Sequence, residues 1–71
     1  MKVGNLVCLR QNFPASIYTH ERGLTETMLT QGTSGVVISI EVRGPVPGAK
    51  VMFNEDKTII TWCPTEFLKV T

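Results

Sequence analysis

An alternating apolar segment near the middle of the chain, residues 34–42, can form little other than a β-strand. Its apolar side chains recur at every second position, as Val36, Ile38, Ile40 and Val42. Alternation of this kind predicts a strand with one apolar face. The block 43–48 then stops the strand, because its two prolines and two glycines cannot continue a hydrogen-bonded ladder.

A β-hairpin is predicted directly after this block. Val, Ile and Thr make up 22 of the 71 residues, and β-branched side chains favour strands. Segments 50–53 and 58–62 have this character, and the polar residues 54–57 between them form the predicted turn. Val51 and Phe53 share one face of the first strand of this hairpin.

The two ends of the chain have the same character. Residues 2–10 and the short tail 67–70 are predicted to form the first and last strands. The segment 63–66 is too short for an α-helix and suits one 3₁₀ turn. The sequence therefore predicts an irregular turn immediately before the last strand.

The segment 11–32 admits two interpretations. Its apolar residues between 24 and 29 have helical spacing, which allows a two-turn helix. The four threonines of this segment and Gly23 are unfavourable in helices. A loose hairpin, with strands 17–19 and 25–29, is therefore preferred.

Chain length limits the architecture to one domain, residues 1–71. A chain of 7.9 kDa buries roughly 60% of its unfolded surface, which is enough for one small core. Five to seven short strands without a clear helix can hide their edges only by curling towards closure. The prediction is an all-β fold, a small and partly open barrel.

Two segments resemble the SH3-like barrel family. Residues 31–37, Gln-Gly-Thr-Ser-Gly-Val-Val, are similar to the turn and strand start of KOW-type and bacterial SH3-like domains. Residues 62–68, Trp-Cys-Pro-Thr-Glu-Phe-Leu, are similar to the closing segment of the family. The resemblance covers nearly the whole chain, and it implies a small SH3-like barrel with a 3₁₀ turn before the last strand.

The resemblance also implies positions for individual side chains. It places Trp62 and Leu68 in the core, and Pro64 and Phe67 at the surface ligand groove. The chain lacks the Ala-Leu-Tyr-Asp-Tyr segment of peptide-binding SH3 domains, and 50–53 contains no groove tryptophan. Recognition of proline-rich peptides is therefore not expected. The opening Met-Lys-Val-Gly and the closing segment are also similar to small accessory proteins of tailed phages.

Charge and cysteine content narrow the classes of partner. Seven basic and six acidic residues are interspersed, and a pI near 7.8 argues against tight, nonspecific binding of phosphates. A disulfide between Cys8 and Cys63 is possible, because the first and last strands of small barrels often lie side by side, but two reduced thiols in a cytoplasmic protein are preferred. Residues 1–4 do not open a signal peptide, and no apolar run is long enough to span a membrane.

No catalytic constellation is visible in the sequence. The single histidine, His20, has no nucleophile or metal-ligand partner at a useful spacing, so no enzyme activity, cofactor or metal site is expected. Aromatic and arginine side chains, which are enriched at binding hot spots, remain as candidates. The candidate contact residues are Phe13, Tyr18, Arg22, Arg43 and Phe67.

These features favour a non-catalytic module that docks on a protein partner through the predicted loop 13–24. The alternative is a KOW-like module that contacts nucleic acid within the transcription or translation machinery, suggested by the Gly-rich strand start and the scattered basic residues. Self-association through open barrel edges is a third possibility, and the sequence leaves the oligomeric state open.

Overall fold

A computed structural model describes residues 1–54 and 58–71 of the chain, without the side chains of residues 17–19. These residues form seven β-strands and one short 3₁₀ helix. In chain order the elements are β1 (Leu6–Leu9), β2 (Phe13–Thr19), β3 (Gly23–Leu29), β4 (Ser34–Ile40), β5 (Gly48–Asn54), β6 (Thr58–Pro64), the 3₁₀ helix (Thr65–Phe67) and β7 (Leu68–Val70). The predicted turn at 54–57 lies largely outside the described residues.

The strands form two antiparallel sheets. Five strands make one sheet in the order β6-β5-β4-β1-β7, and β2 and β3 make a separate hairpin whose first strand contacts β6. The prediction of an all-β fold with a 3₁₀ turn before the last strand is confirmed. The hairpin interpretation of 11–32 is also confirmed, and Gly23 begins β3 with a φ of 70°, which favours glycine.

One hydrophobic core holds the two sheets together. Val51 and Phe53 are both fully buried, as their shared parity predicts. Leu68 at the start of β7 is also buried, as the resemblance implies. The buried hydrophobic residues are Val7, Leu9, Ala15, Leu29, Val37, Ala49, Val51, Phe53, Ile59, Cys63 and Leu68. Their face of the five-stranded sheet is called the inner face below.

The predicted core face of β4 is wrong. Val37 is fully buried, whereas Ile38 and Ile40 are 38% and 47% exposed. The pairing between β4 and β5 shifts after Val37, so that two residues of β4 lie opposite Lys50. The parity of β4 is set before this bulge, because Val37 pairs with the fully buried Val51 and therefore faces the core. Alternation alone could not reveal this, because Val37 supplies an apolar side chain on the opposite parity.

The two cysteines are both free. Cys63 pairs with Ala49 on the inner face and is fully buried, and this burial raises the pKa of its thiol from 9.0 to about 12. Cys8 pairs with Ser34 and is only partly buried. Since β4 and β5 separate the strands that carry them, the two thiols occupy different environments.

Candidate interaction surfaces

Four apolar side chains form a continuous line across the outer face of the five-stranded sheet. Direct cross-strand pairs join Leu6 to Val36, Val36 to Met52, and Met52 to Ile60. We call these four residues the apolar row. It crosses four neighbouring strands and therefore extends about 14 Å. Leu6 and Ile60 at its ends are 60% and 52% exposed, and the two central residues are partly buried.

The apolar row contains no charged residue, and polar residues border one of its sides. On one side, the next outward-facing positions are Cys8, Ser34, Asn54 and Thr58. On the other side lie the partly exposed Ile38 and the paired residues Lys50 and Trp62, so the apolar surface continues there. Contiguous apolar surface with a polar border is typical of protein interaction sites.

Trp62 lies on the outer face, and the expectation that it belongs to the core is wrong. It pairs across the sheet with Lys50 and is only partly buried. The adjacent Cys63 occupies the core position instead, because neighbouring residues of a strand point to opposite faces. The indole sits against Gly48, where a Cβ atom would overlap the ring.

Polar contacts hold the indole of Trp62 in place. Its Nε1 donates a hydrogen bond to the backbone oxygen of Glu41 over 2.7 Å. The guanidinium carbon of Arg43 lies 4.9 Å from the ring centroid, within the range of a cation–π interaction. Lys50 forms an ion pair with Glu41 at 3.8 Å. Trp62, Arg43 and Lys50 are called the tryptophan cluster below.

A groove of about 250 Å³ lies at the same end of the sheet as the tryptophan cluster. The loop on one side of this groove is closed by two reciprocal backbone hydrogen bonds between Arg43 and Val46, of 2.9 and 3.0 Å. The Thr65 backbone N–H donates to the oxygen of Pro47, which joins this loop to the 3₁₀ helix. The lining residues are Pro45, Val46, Pro47, Pro64, Thr65 and Glu66. Pro64 therefore lines a groove, but Phe67 is not among the residues that line it.

A second groove, of about 570 Å³, lies where β1 ends beside β7 and the β3–β4 turn. It is lined by Cys8, Leu9, Arg10, Gln31, Gly32 and Lys69, and we call it the basic groove. Two of these residues are cations and none is an anion. Within residues 1–54 and 58–71, no ion pair engages Arg10 or Lys69, and both are exposed.

The five predicted contact residues do not gather at one point. Phe13 and Phe67 meet edge to face, with ring centroids 5.5 Å apart, and both pack partly buried against the core. Arg43 belongs instead to the tryptophan cluster. Arg22 lies in the turn between β2 and β3, and the side chain of Tyr18 lies outside the described residues. Because β2 is seven residues long, this turn is roughly 20 Å from Phe13 along the hairpin.

The apolar row is the feature that sequence reasoning missed. Each of its members stands in a segment with apolar residues on both parities, so periodicity could not separate core from surface. A signal was available only for Met52, because it lies between Val51 and Phe53, whose shared parity indicates the core. The row across to Leu6 follows only from the pairing of strands that are distant in sequence.

Other classes of site have little support in the described part of the chain. Among residues 1–54 and 58–71, no group of three or more His, Cys, Asp or Glu side chains could hold a metal ion. No described helix is long and apolar enough to cross a membrane. His20 lies exposed in the turn between β2 and β3.

No known protein family, no curated protein and no solved structure matches this chain. The surfaces described above are therefore the basis of the functional proposal.

Proposed function

We propose that this protein is a non-catalytic interaction module of the SH3-like type, which docks on a protein partner through the apolar row. The row carries the proposal, because four uncharged apolar side chains in direct register are partly exposed on a very small domain. The strand order β6-β5-β4-β1-β7, with a 3₁₀ helix before β7, supports the resemblance to SH3-like barrels.

The apolar row can supply useful binding free energy. Full burial of a Leu or Ile side chain contributes about 1.5–3 kcal/mol, so burying the exposed halves of Leu6 and Ile60 contributes about 1 kcal/mol each. The backbone of all four residues is already paired in the sheet, which reduces the entropy lost on binding. Ile38 and Trp62 beside the row extend the apolar area that a partner could cover.

The cellular setting is part of the proposal. We place the protein in the cytoplasm with both thiols reduced, and the two free cysteines support this. A phage accessory protein of this kind would dock on a host enzyme or on a component of the virion. No catalytic role is proposed.

Affinity capture with matched variants tests the proposed docking function. Tagged protein is incubated with a lysate of the cells that produce it, and the retained proteins are compared with those of Leu6→Lys/Ile60→Lys. The control is Val42→Lys/Val46→Lys, which adds the same charge at exposed apolar sites off the row. A partner kept by the wild type and the control but lost by the row variant supports the proposal. A partner kept by the row variant contradicts it.

Nucleic-acid binding is a second candidate, favoured by one observation, the tryptophan cluster. An aromatic ring beside two cations can stack on a base while the cations contact phosphates. Trp62 is the only tryptophan, so its fluorescence reports on this site directly. Quenching by short single-stranded RNA that disappears at high salt, and in Arg43→Ala, would support this function. Unchanged fluorescence would reject it.

A further inference from the structure

The apolar row and the basic groove meet on strand β1. Cys8 follows Leu6 by two residues, so both side chains lie on the same face about 7 Å apart. Cys8 lines the basic groove and pairs directly with Lys69, which lines it as well. A ligand that covers Leu6 therefore has the basic groove immediately beside it.

The charge at this junction has one sign. Arg10 and Lys69 supply two exposed cations, and no acidic residue lines the groove. Glu66, the acidic residue closest in sequence to Lys69, lines the proline-containing groove instead. An anionic group in the basic groove would therefore meet attraction without a competing carboxylate from its lining.

We propose that the docking segment of the protein partner is extended and runs along β1, with an apolar side chain on Leu6 at the end of the apolar row and carboxylates in the basic groove. This inference rests on the proposed function, since it describes what binds at the same row. Side chains on one face of an extended segment repeat every two residues, about 7 Å apart. That repeat equals the step from Leu6 to Cys8 along β1, so a segment parallel to β1 reaches both when an acidic position follows an apolar one after two residues.

The lining of the basic groove favours a carboxylate-bearing peptide over nucleic acid. The partly buried Cys8 lines the groove and lies two residues from Leu6 of the apolar row. None of its lining residues is aromatic, so it offers no ring on which a base could stack. Two cations also form a small footprint for a phosphate backbone, whose binding generally involves several phosphate contacts.

Amide chemical-shift mapping with two designed peptides tests this inference. The probe is Leu-Thr-Leu-Thr-Glu-Thr-Glu with blocked ends, and the control replaces both glutamates with lysines. The glutamate peptide is expected to shift the amides of Leu6, Gln31, Gly32 and Lys69, whereas the lysine peptide shifts few of these or none. Raising the salt from about 0.1 M to about 1 M shortens the screening length from about 10 Å to about 3 Å, and should weaken the groove shifts.

Charge-reversal variants distinguish an effect of the groove on affinity from an effect of the net charge of the protein. Lys69→Glu is expected to lower the affinity for the glutamate peptide about three- to tenfold, since it replaces an attraction of modest size with a repulsion. Lys2→Glu changes the net charge equally at an exposed site outside the groove, and should leave the affinity within about twofold. Preserved amide dispersion in both variants shows that each remains folded.

The possible results overturn different statements. Glutamate-peptide shifts at Leu6 and Val36 without shifts at Gln31, Gly32 and Lys69 overturn the acidic segment and leave docking through the row intact. Three further results overturn the acidic segment as well. They are equal responses to both peptides, equal losses of affinity in Lys2→Glu and Lys69→Glu, and no shifts at all. If a single-stranded oligonucleotide shifts the amides of the groove and the glutamate peptide does not, the ligand of the groove is nucleic acid and not an acidic peptide. The docking function itself is contradicted only if Leu6→Lys/Ile60→Lys captures the partner as well as the wild type does.

Discussion

Phe13 and Phe67 meet edge to face, with ring centroids 5.5 Å apart and their planes inclined by 71°. Phe13 begins β2, and Phe67 ends the 3₁₀ helix before β7. The backbone oxygen of Phe67 also accepts a hydrogen bond from the N–H of Arg10 over 2.7 Å. This aromatic pair therefore ties the β2–β3 hairpin to the end of the five-stranded sheet, and both rings pack against the core.

The aromatic pair should be energetically coupled. We expect Phe13→Leu and Phe67→Leu each to lower the free energy of unfolding by about 1–2 kcal/mol, because each loses packing and the edge-to-face contact. The double variant should lose about 0.5–1.5 kcal/mol less than the sum, since the contact is lost only once. Urea denaturation of the four proteins measures this coupling, and strictly additive losses would show that the two rings contribute independently.

Gly48 should be indispensable for the position of Trp62. A Cβ atom at this position overlaps the indole, so Gly48→Ala must displace the ring from Glu41 and Arg43. We expect a red shift of the tryptophan fluorescence and a loss of about 1–3 kcal/mol in the free energy of unfolding.

Gly32→Ala is the matched control for Gly48→Ala. Its Cβ would meet open space, but its φ of 91° is strained for alanine. It should therefore lower stability without moving the fluorescence maximum. A shift of similar size in both variants would mean that the indole responds to general loosening of the fold.

Burial of Cys63 should make stability depend on pH in the alkaline range. Its thiol pKa rises from 9.0 to about 12 in the folded state, because burial disfavours the thiolate. Above 9.0 the unfolded thiol loses its proton while the folded one keeps it, so the contribution is complete below 9.0 and is lost as pH rises towards 12. The expected loss is about 1.4 kcal/mol per pH unit in that window.

Comparison with Cys63→Ala isolates this thiol from the other groups that titrate at alkaline pH. The free energy of unfolding is measured by urea denaturation at several pH values on both sides of 9.0. The difference between the two proteins should narrow as pH rises. A constant difference would mean that Cys63 ionises equally in the folded and unfolded states.

The two thiols should differ in accessibility to alkylating reagents. Cys8 is partly exposed at the basic groove, whereas Cys63 is fully buried. Under native conditions iodoacetamide should add a single label, and Cys8→Ser should abolish it. Mass spectrometry counts the labels, and a second label should enter only under conditions that unfold the chain. Two labels at equal rates would contradict the buried position of Cys63.

Local patterns in the sequence determined the fold class and several of its elements. Three elements follow from β-branched residues interrupted by prolines, glycines and polar turns. They are the hairpin of 50–53 and 58–62, the break at 43–48 and the irregular turn before the last strand. These preferences act over a few neighbouring residues, so they can be read without knowing what the segment packs against. The hairpin interpretation of 11–32 rests on the same kind of evidence.

The tertiary structure decided which side chains of those strands form surfaces. Val37 lies in the core because it pairs with the fully buried Val51, whereas Ile38 and Ile40 are exposed, although all three are apolar. The apolar row and the basic groove require β1 to pair with both β4 and β7, which are distant in sequence. Register between distant strands depends on the packing of the whole core, and a shift of one residue would reverse every face. For that reason the sequence alone determined the elements of this protein, and only their pairing created its candidate sites.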